Sequence, residues 1–147
     1  MSQFLMFKLA TDKNGWPPAG AESIPVERVT GGYRVLTPPF FVKDISVGDI
    51  VDCSNDSEGY VSNLVCKHRS ARSTIWVAPR GAPPWQTAKA ELLGLGCNVE
   101  TLKEFGVSSI DLPENVSLAL LDRILEPVAS AGAFVAYPSL RHVEGGS

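Results

Sequence analysis

The chain of 147 residues has two histidines, three cysteines, a net charge of −3 and no long apolar run. Each shortage closes a functional class. Catalysis through histidine would need His68 or His142 beside a serine or cysteine and steadied by a carboxylate. His142 lies in the C-terminal tail, and His68 has Cys66 on its own face two residues along one strand, a spacing suited to packing rather than proton transfer. Cys53, Cys66 and Cys97 form no CxxC or Cys/His pair, so they read as reduced thiols packed as small hydrophobes, neither zinc ligands nor disulfide partners. The negative balance argues against a dedicated nucleic-acid binder, which carries a basic face. No stretch approaches the length of a membrane span, and Met1 to Ala10 runs through Lys8 into Thr11-Asp12-Lys13 without the layout of a secretion signal. A cytoplasmic protein is expected. G-x-S-x-G, P-loop and dinucleotide fingerprints are absent from the sequence, so no catalytic residue, metal or cofactor is expected.

What is present is an ordinary globular composition, 44% hydrophobic and 20% charged, in about one domain's length. The organising stretch is Phe40 to Cys53. Two aromatics are expected to close one strand, Ser46-Val47-Gly48-Asp49 to turn, and Ile50-Val51 to open the next. Before it, Phe4 to Leu9 reads as a strand apolar on both faces, hence central or covered. Glu22 to Val29 reads as a strand that Pro25 confines to an edge or a late start. Thr30-Gly31-Gly32 is a hairpin signal, since Gly-Gly accepts positive φ, and Tyr33 to Leu36 returns. After the corner, Asp49 to Cys53, the polar turn Ser54 to Gly59 and Tyr60 to His68 complete a meander of short strands.

The second half changes period. Ser73 to Ala78 is a strand, and Trp85 to Leu95 a helix after Pro83-Pro84, with Ala88, Leu92 and Leu95 on one stripe. Cys97 to Glu104 and Val107 to Leu112 are strands, and Pro113-Glu114-Asn115 opens a second helix with Val116, Leu120, Leu121, Ile124 and Val128 at helical spacing. Pro127 should kink or shorten it. Phe134 to Tyr137 is the last strand, and 141–147 a frayed tail. The fold class is therefore α+β: an N-terminal antiparallel β meander or partial barrel (1–70) packed with a C-terminal ferredoxin-like βαββαβ sandwich (71–140) in one compact unit spanning 1–147.

Asp44, Asp49, Asp52, Asp56 and Glu58 gather carboxylates within a short span but lack the ligand spacing and pivot glycine of a calcium loop. They read as a solvated acidic rim suited to a basic partner. Lys67 to Thr74 reads as a basic hairpin tip guarding an edge, without the converging donors that an anion site needs. Trp16 and Trp85 adjoin Pro-Pro pairs, rigid aromatic corners that serve as core or as interface anchors.

Trp16-Pro17-Pro18, Val26-Glu27-Arg28-Val29, Gly32-Tyr33-Arg34-Val35, Pro39-Phe40-Phe41, Ser46 to Val51, Ser73-Thr74-Ile75, Leu95-Gly96-Cys97 and Ile110-Asp111-Leu112-Pro113 together resemble a family of small bacterial proteins known as a domain of unknown function. The resemblance spans nearly the whole chain and carries no catalytic residue with it. By analogy with other small single-domain cytosolic families, it implies an immunity protein. Such a protein binds and neutralises a cognate secreted bacterial toxin, for example a nuclease, and is not an enzyme. Asp49, Asp52, Asp56 and Glu58 would steer that encounter, with Trp16 and Trp85 as anchors. The alternative is a regulatory domain holding a small metabolite where the halves join.

Overall fold

The computed structural model describes residues 3–80 and 82–142. Along these residues the elements are β1 Gln3–Lys8, β2 Ala21–Val29, β3 Gly32–Val35, β4 Ile50–Asn55, β5 Val61–His68, β6 Ser73–Ala78, α1 Ala82–Gly94, β7 Asn98–Leu102, β8 Val107–Leu112, α2 Leu118–Ser130 and β9 Phe134–Ser139. The architecture is mixed α+β. Strands β1 to β5 form an antiparallel sheet in chain order, and the other four form a second antiparallel sheet in the order β7-β8-β6-β9.

The meander follows from its turns. Val29 pairs with Gly32, leaving Thr30-Gly31 as the connection, and Gly31 turns the chain at a positive φ of 90° that glycine adopts without strain. In the β4–β5 turn the Asp56 carboxylate accepts the N–H of Glu58 and of Tyr60, and the Gly59 N–H reaches the Asp56 carbonyl. At its open end the sheet curls, so that the Lys8 ammonium stands 5.9 Å over the Tyr60 ring. The concave face buries Leu5, Ile24, Val26, Val35 and Val51, together with Ile45 from the β3–β4 segment.

Both helices cover one face of the second sheet. Ile75, Val77, Val99, Ile110 and Leu112 meet Ala88 and Leu92 of α1 and Leu121, Ile124, Leu125 and Val128 of α2. The alternate residues Thr74, Trp76, Ser109 and Asp111 are also buried, on the opposite face. There the long segment between β3 and β4 lies against them: the Pro39 carbonyl accepts from Trp76 Nε1 and Ser109 Oγ, each at 2.7 Å. That segment is thus a polar wedge between the two sheets.

Several expectations are corrected. Phe40 and Phe41 close no strand; their N–H groups go to a side chain instead of a ladder. β1 is an edge strand rather than a central one, with Leu5 buried while Phe4 and Met6 face outward. β2 is paired on both sides despite Pro25. This is tolerated because the β2–β3 ladder stops at Val26, so the missing donor falls beyond it, where the Pro25 carbonyl still accepts from Leu36. α1 begins at Ala82 and ends at Gly94, which puts Leu95 past the helix and partly exposed; the Cys97 N–H then closes onto the Leu92 carbonyl around Gly96. α2 starts later than expected because Ser117, whose side chain accepts from the Leu120 N–H, is the N-cap, and Pro113 to Val116 form a separate turn. Pro127 sits in its last turn and the helix runs on to Ser130. Residues 141 and 142 of the expected tail are tied down, and 143–147 lie outside the described residues.

A Cβ added at Gly32 would run into the Val51 carbonyl on β4, at a φ that side chains rarely adopt, whereas one at Gly15 meets nothing within 4 Å. Gly32→Ala should therefore lower the urea-unfolding free energy by more than about 2 kcal/mol, and Gly15→Ala, with backbone strain alone, by about 1 kcal/mol. Equal losses would remove the close approach as the cause.

Candidate functional site

The acidic group foreseen as one rim divides in two. Asp49 is fully buried. Its Oδ2 accepts the Ser46 N–H at 3.0 Å and its Oδ1 the Ser70 N–H at 2.8 Å, while Arg141 Nη1 and Nη2 fork onto the two oxygens at 2.8 and 2.9 Å. Burial alone would push this carboxyl up. The Arg141 hydrogen bonds, the two backbone donors and the Arg141 charge outweigh it and hold the group below the ordinary aspartate value. Asp49 is therefore withdrawn from any partner. Asp52, Asp56 and Glu58 remain exposed on the β4–β5 hairpin. Asp44 is exposed at a φ of 64°, and its Oδ1 lies 3.4 Å from Arg69, a solvent-screened pair of little weight.

Arg141 ties down more than Asp49. Nη1 also donates to the Ser70 carbonyl and Nη2 to the Asp44 carbonyl. Beside it Ser46 Oγ and Ser139 Oγ are 2.7 Å apart, and Thr74 Oγ1 reaches the Ile45 carbonyl at 3.2 Å. The wedge, the β5–β6 linker, β6 and the residues after β9 thus meet in one buried polar junction. The run Lys67 to Thr74 belongs to it: Ser70 Oγ donates to the Val47 carbonyl, and Arg72 forks onto Asp111 at 2.7 to 3.2 Å. Sequence reasoning missed this junction because its members lie up to 93 residues apart.

Ser73 Oγ and His142 Nδ1, 2.6 Å apart, have the spacing of a nucleophile–base pair. The serine is fully buried, its oxygen already accepts the N–H groups of Arg141 and His142, and His142 Nε2 lies 2.8 Å from the Pro113 carbonyl. The pair fastens the chain after β9. Cys66 Sγ points to the backbone carbonyl of His68 at 3.4 Å, not to its imidazole. Among the described residues no three His, Cys, Asp or Glu side chains gather closely enough to hold a metal ion, and no helix is long and apolar enough to cross a membrane.

The two tryptophans separate as well. Trp85 packs half-buried against the helix–sheet core. Trp16 is half-buried edge-to-face on Phe41, with centroids 5.5 Å apart, and Phe41 meets Phe105 in the same way at 5.9 Å. Phe41 is held from behind by Glu22, whose carboxylate accepts the N–H groups of Phe40, Phe41 and Val42. Burial raises the Glu22 carboxyl above the usual range, and these three donors only partly offset it. A lone glutamate on an alternating strand gave no signal of this role.

The model of the family described as Domain of unknown function (DUF4265) matches residues 22–135. The chain belongs to the DUF4265 family. No curated protein matches it. The DUF4265 fold is similar to a solved structure described as a hypothetical protein from Neisseria gonorrhoeae, with a TM-score of 0.74 over 95% of this chain and 96% of that one, at 17% identity. At that identity the likeness concerns the fold alone.

The junction contributes to how this DUF4265 chain responds to acid. Asp49 has a lowered folded-state pKa, so its contribution is present above the unfolded value near 3.8 and is lost as pH falls through the lower folded one. Asp49→Asn should cost roughly 3–5 kcal/mol at pH 7 by stranding Arg141, and should flatten the decline of stability below about pH 4. Denaturation of both forms at pH 7 and pH 3 checks this; a wild-type slope in the variant would remove Asp49 as the source. Thiol chemistry supplies a second readout. Burial, with Asp111 adding to it, pushes Cys97 up to about 11, and Arg72 opposes only in part, while Cys66 is exposed. With iodoacetamide at pH 8, Cys66 should react first and Cys97 only after unfolding. Early labelling of Cys97 would contradict that burial.

Proposed function

We propose that the chain is a non-enzymatic protein-binding module of the immunity class, which neutralises a cognate secreted bacterial toxin in the cytoplasm by covering a basic surface such as a nuclease cleft. The observation that carries this reading is the β4–β5 hairpin. Asp52, Asp56 and Glu58 stand exposed on it, beside the outer edge of β5, where Leu64 and Val65 are 40% and 52% exposed. A strand with open backbone groups on one side and apolar side chains on its faces is a template for pairing with another chain. Carboxylates next to it raise the encounter rate with a basic partner. The order β7-β8-β6-β9, with both helices on one face, supports reading the C-terminal half as a ferredoxin-like sandwich, a rigid base for that hairpin.

Calorimetric titration with the inactivated product of the adjacent gene should give one-to-one binding at nanomolar affinity. Reversing Asp52 and Glu58 to lysine should slow association by roughly tenfold at low salt and leave the fold unchanged, since both are exposed and neither side chain holds the turn as Asp56 does. Absence of binding at micromolar concentrations would count against the immunity reading, and a salt-independent association rate against acidic steering.

A further inference from the structure

The end of β1 and the residues just past it (Phe7 to Ala10), the following loop through Pro17 and the stretch Phe41 to Lys43 line an open cleft of about 390 Å³. Its walls are pre-formed. Asp12 Oδ1 accepts the N–H groups of Asn14 and Trp16, the Asp12 N–H returns to the Trp16 carbonyl at 2.7 Å, and Thr11 Oγ1 donates to the Pro17 carbonyl. The loop is thereby closed on itself and presents the Trp16 indole against Phe41. Phe41 is in turn locked by Glu22 and Phe105.

The charges round this aromatic wall are unbalanced. Two exposed lysines, Lys8 and Lys43, line the cleft with one carboxylate, Asp12, and one oxygen of that carboxylate is committed to two backbone donors. Among the described residues neither lysine has an acidic partner within salt-bridge distance; the neighbouring Asp44 reaches Arg69 instead. The Lys8 ammonium itself stands 5.9 Å over the Tyr60 ring. A volume near the low end of the ligand-pocket range, flat apolar walls and unpaired cations at the rim describe a small, planar, anionic occupant.

We propose that this cleft binds a small aromatic carboxylate, its ring against Trp16 and Phe41 and its carboxylate between Lys8 and Lys43. The cleft is lined by no residue of the β4–β5 hairpin, though Lys8 rests over Tyr60 of its turn, and the inference does not rest on the protein-partner reading.

The test is a titration of the full chain with indole-3-acetate, followed by NMR, beside indole (ring without charge) and acetate (charge without ring). Indole-3-acetate should bind with a Kd of about 1 mM or tighter. Shifts should centre on the Trp16 indole, and both controls should bind at least about tenfold more weakly. Lys43→Glu, on an exposed loop position, should weaken binding by more than roughly tenfold with the spectrum otherwise unchanged, and Trp16→Leu should weaken it similarly. Indole binding as well as indole-3-acetate, shifts centred away from Trp16, or wild-type affinity in Lys43→Glu would each overturn the proposal.

Discussion

The structure depends on a buried ion pair that few of its neighbours could replace. Asp49 and Arg141 are both almost wholly removed from solvent, a placement that costs several kcal/mol per charge unless every lone pair and donor is met. Asp49 meets that condition with four donors. Arg141 nearly does: its Nε is the one buried side-chain nitrogen or oxygen among the described residues without a partner. Hydrophobic contact could hold either sheet together alone, but the face of the second sheet that meets the wedge is lined by Thr74, Trp76, Ser109 and Asp111. Such a face needs specific acceptors, and the backbone carbonyls of Pro39 and Ile45 supply them. Polar satisfaction, more than apolar area, selects how the two sheets sit against each other.

The same segment supports both proposed surfaces. Its first part, Phe40 to Val42, hangs by three N–H groups from Glu22 and forms a wall of the aromatic cleft, while its last part, Ser46 to Asp49, anchors in the junction and delivers the chain into β4. The acidic hairpin and the cleft are therefore built on the two ends of one structure. Rigid support of this kind lets a loop bind without a large ordering cost.

Much of the fold was legible because its signals are local. Gly31-Gly32 and Asp56 to Gly59 mark turns by their backbone needs, the run Ser73 to Ala78 reads as a strand, and the spacing of Leu121, Ile124 and Val128 marks a helix face. What stayed hidden was long-range. Phe40-Phe41 looks like strand sequence, yet Glu22 captures its backbone donors. Asp49 looks like a turn aspartate on a rim, and only Arg141, 92 residues later, draws it inside. Trp16 and Trp85 offered the same Trp beside Pro-Pro cue and came to different places, one on an open cleft and the other against the core. Periodicity reports which face a residue takes within an element, not which distant group will neutralise it.

The separation between Asp49 and Arg141 also orders events during synthesis. All five strands of the meander precede β6, so the first sheet can assemble on the ribosome while the second is still being made. Through that interval the Asp49 carboxylate lacks its Arg141 partner, and the wedge lacks the polar face it lies on. The first sheet can thus form before its charge pair, which closes across the molecule only when the residues after β9 are present.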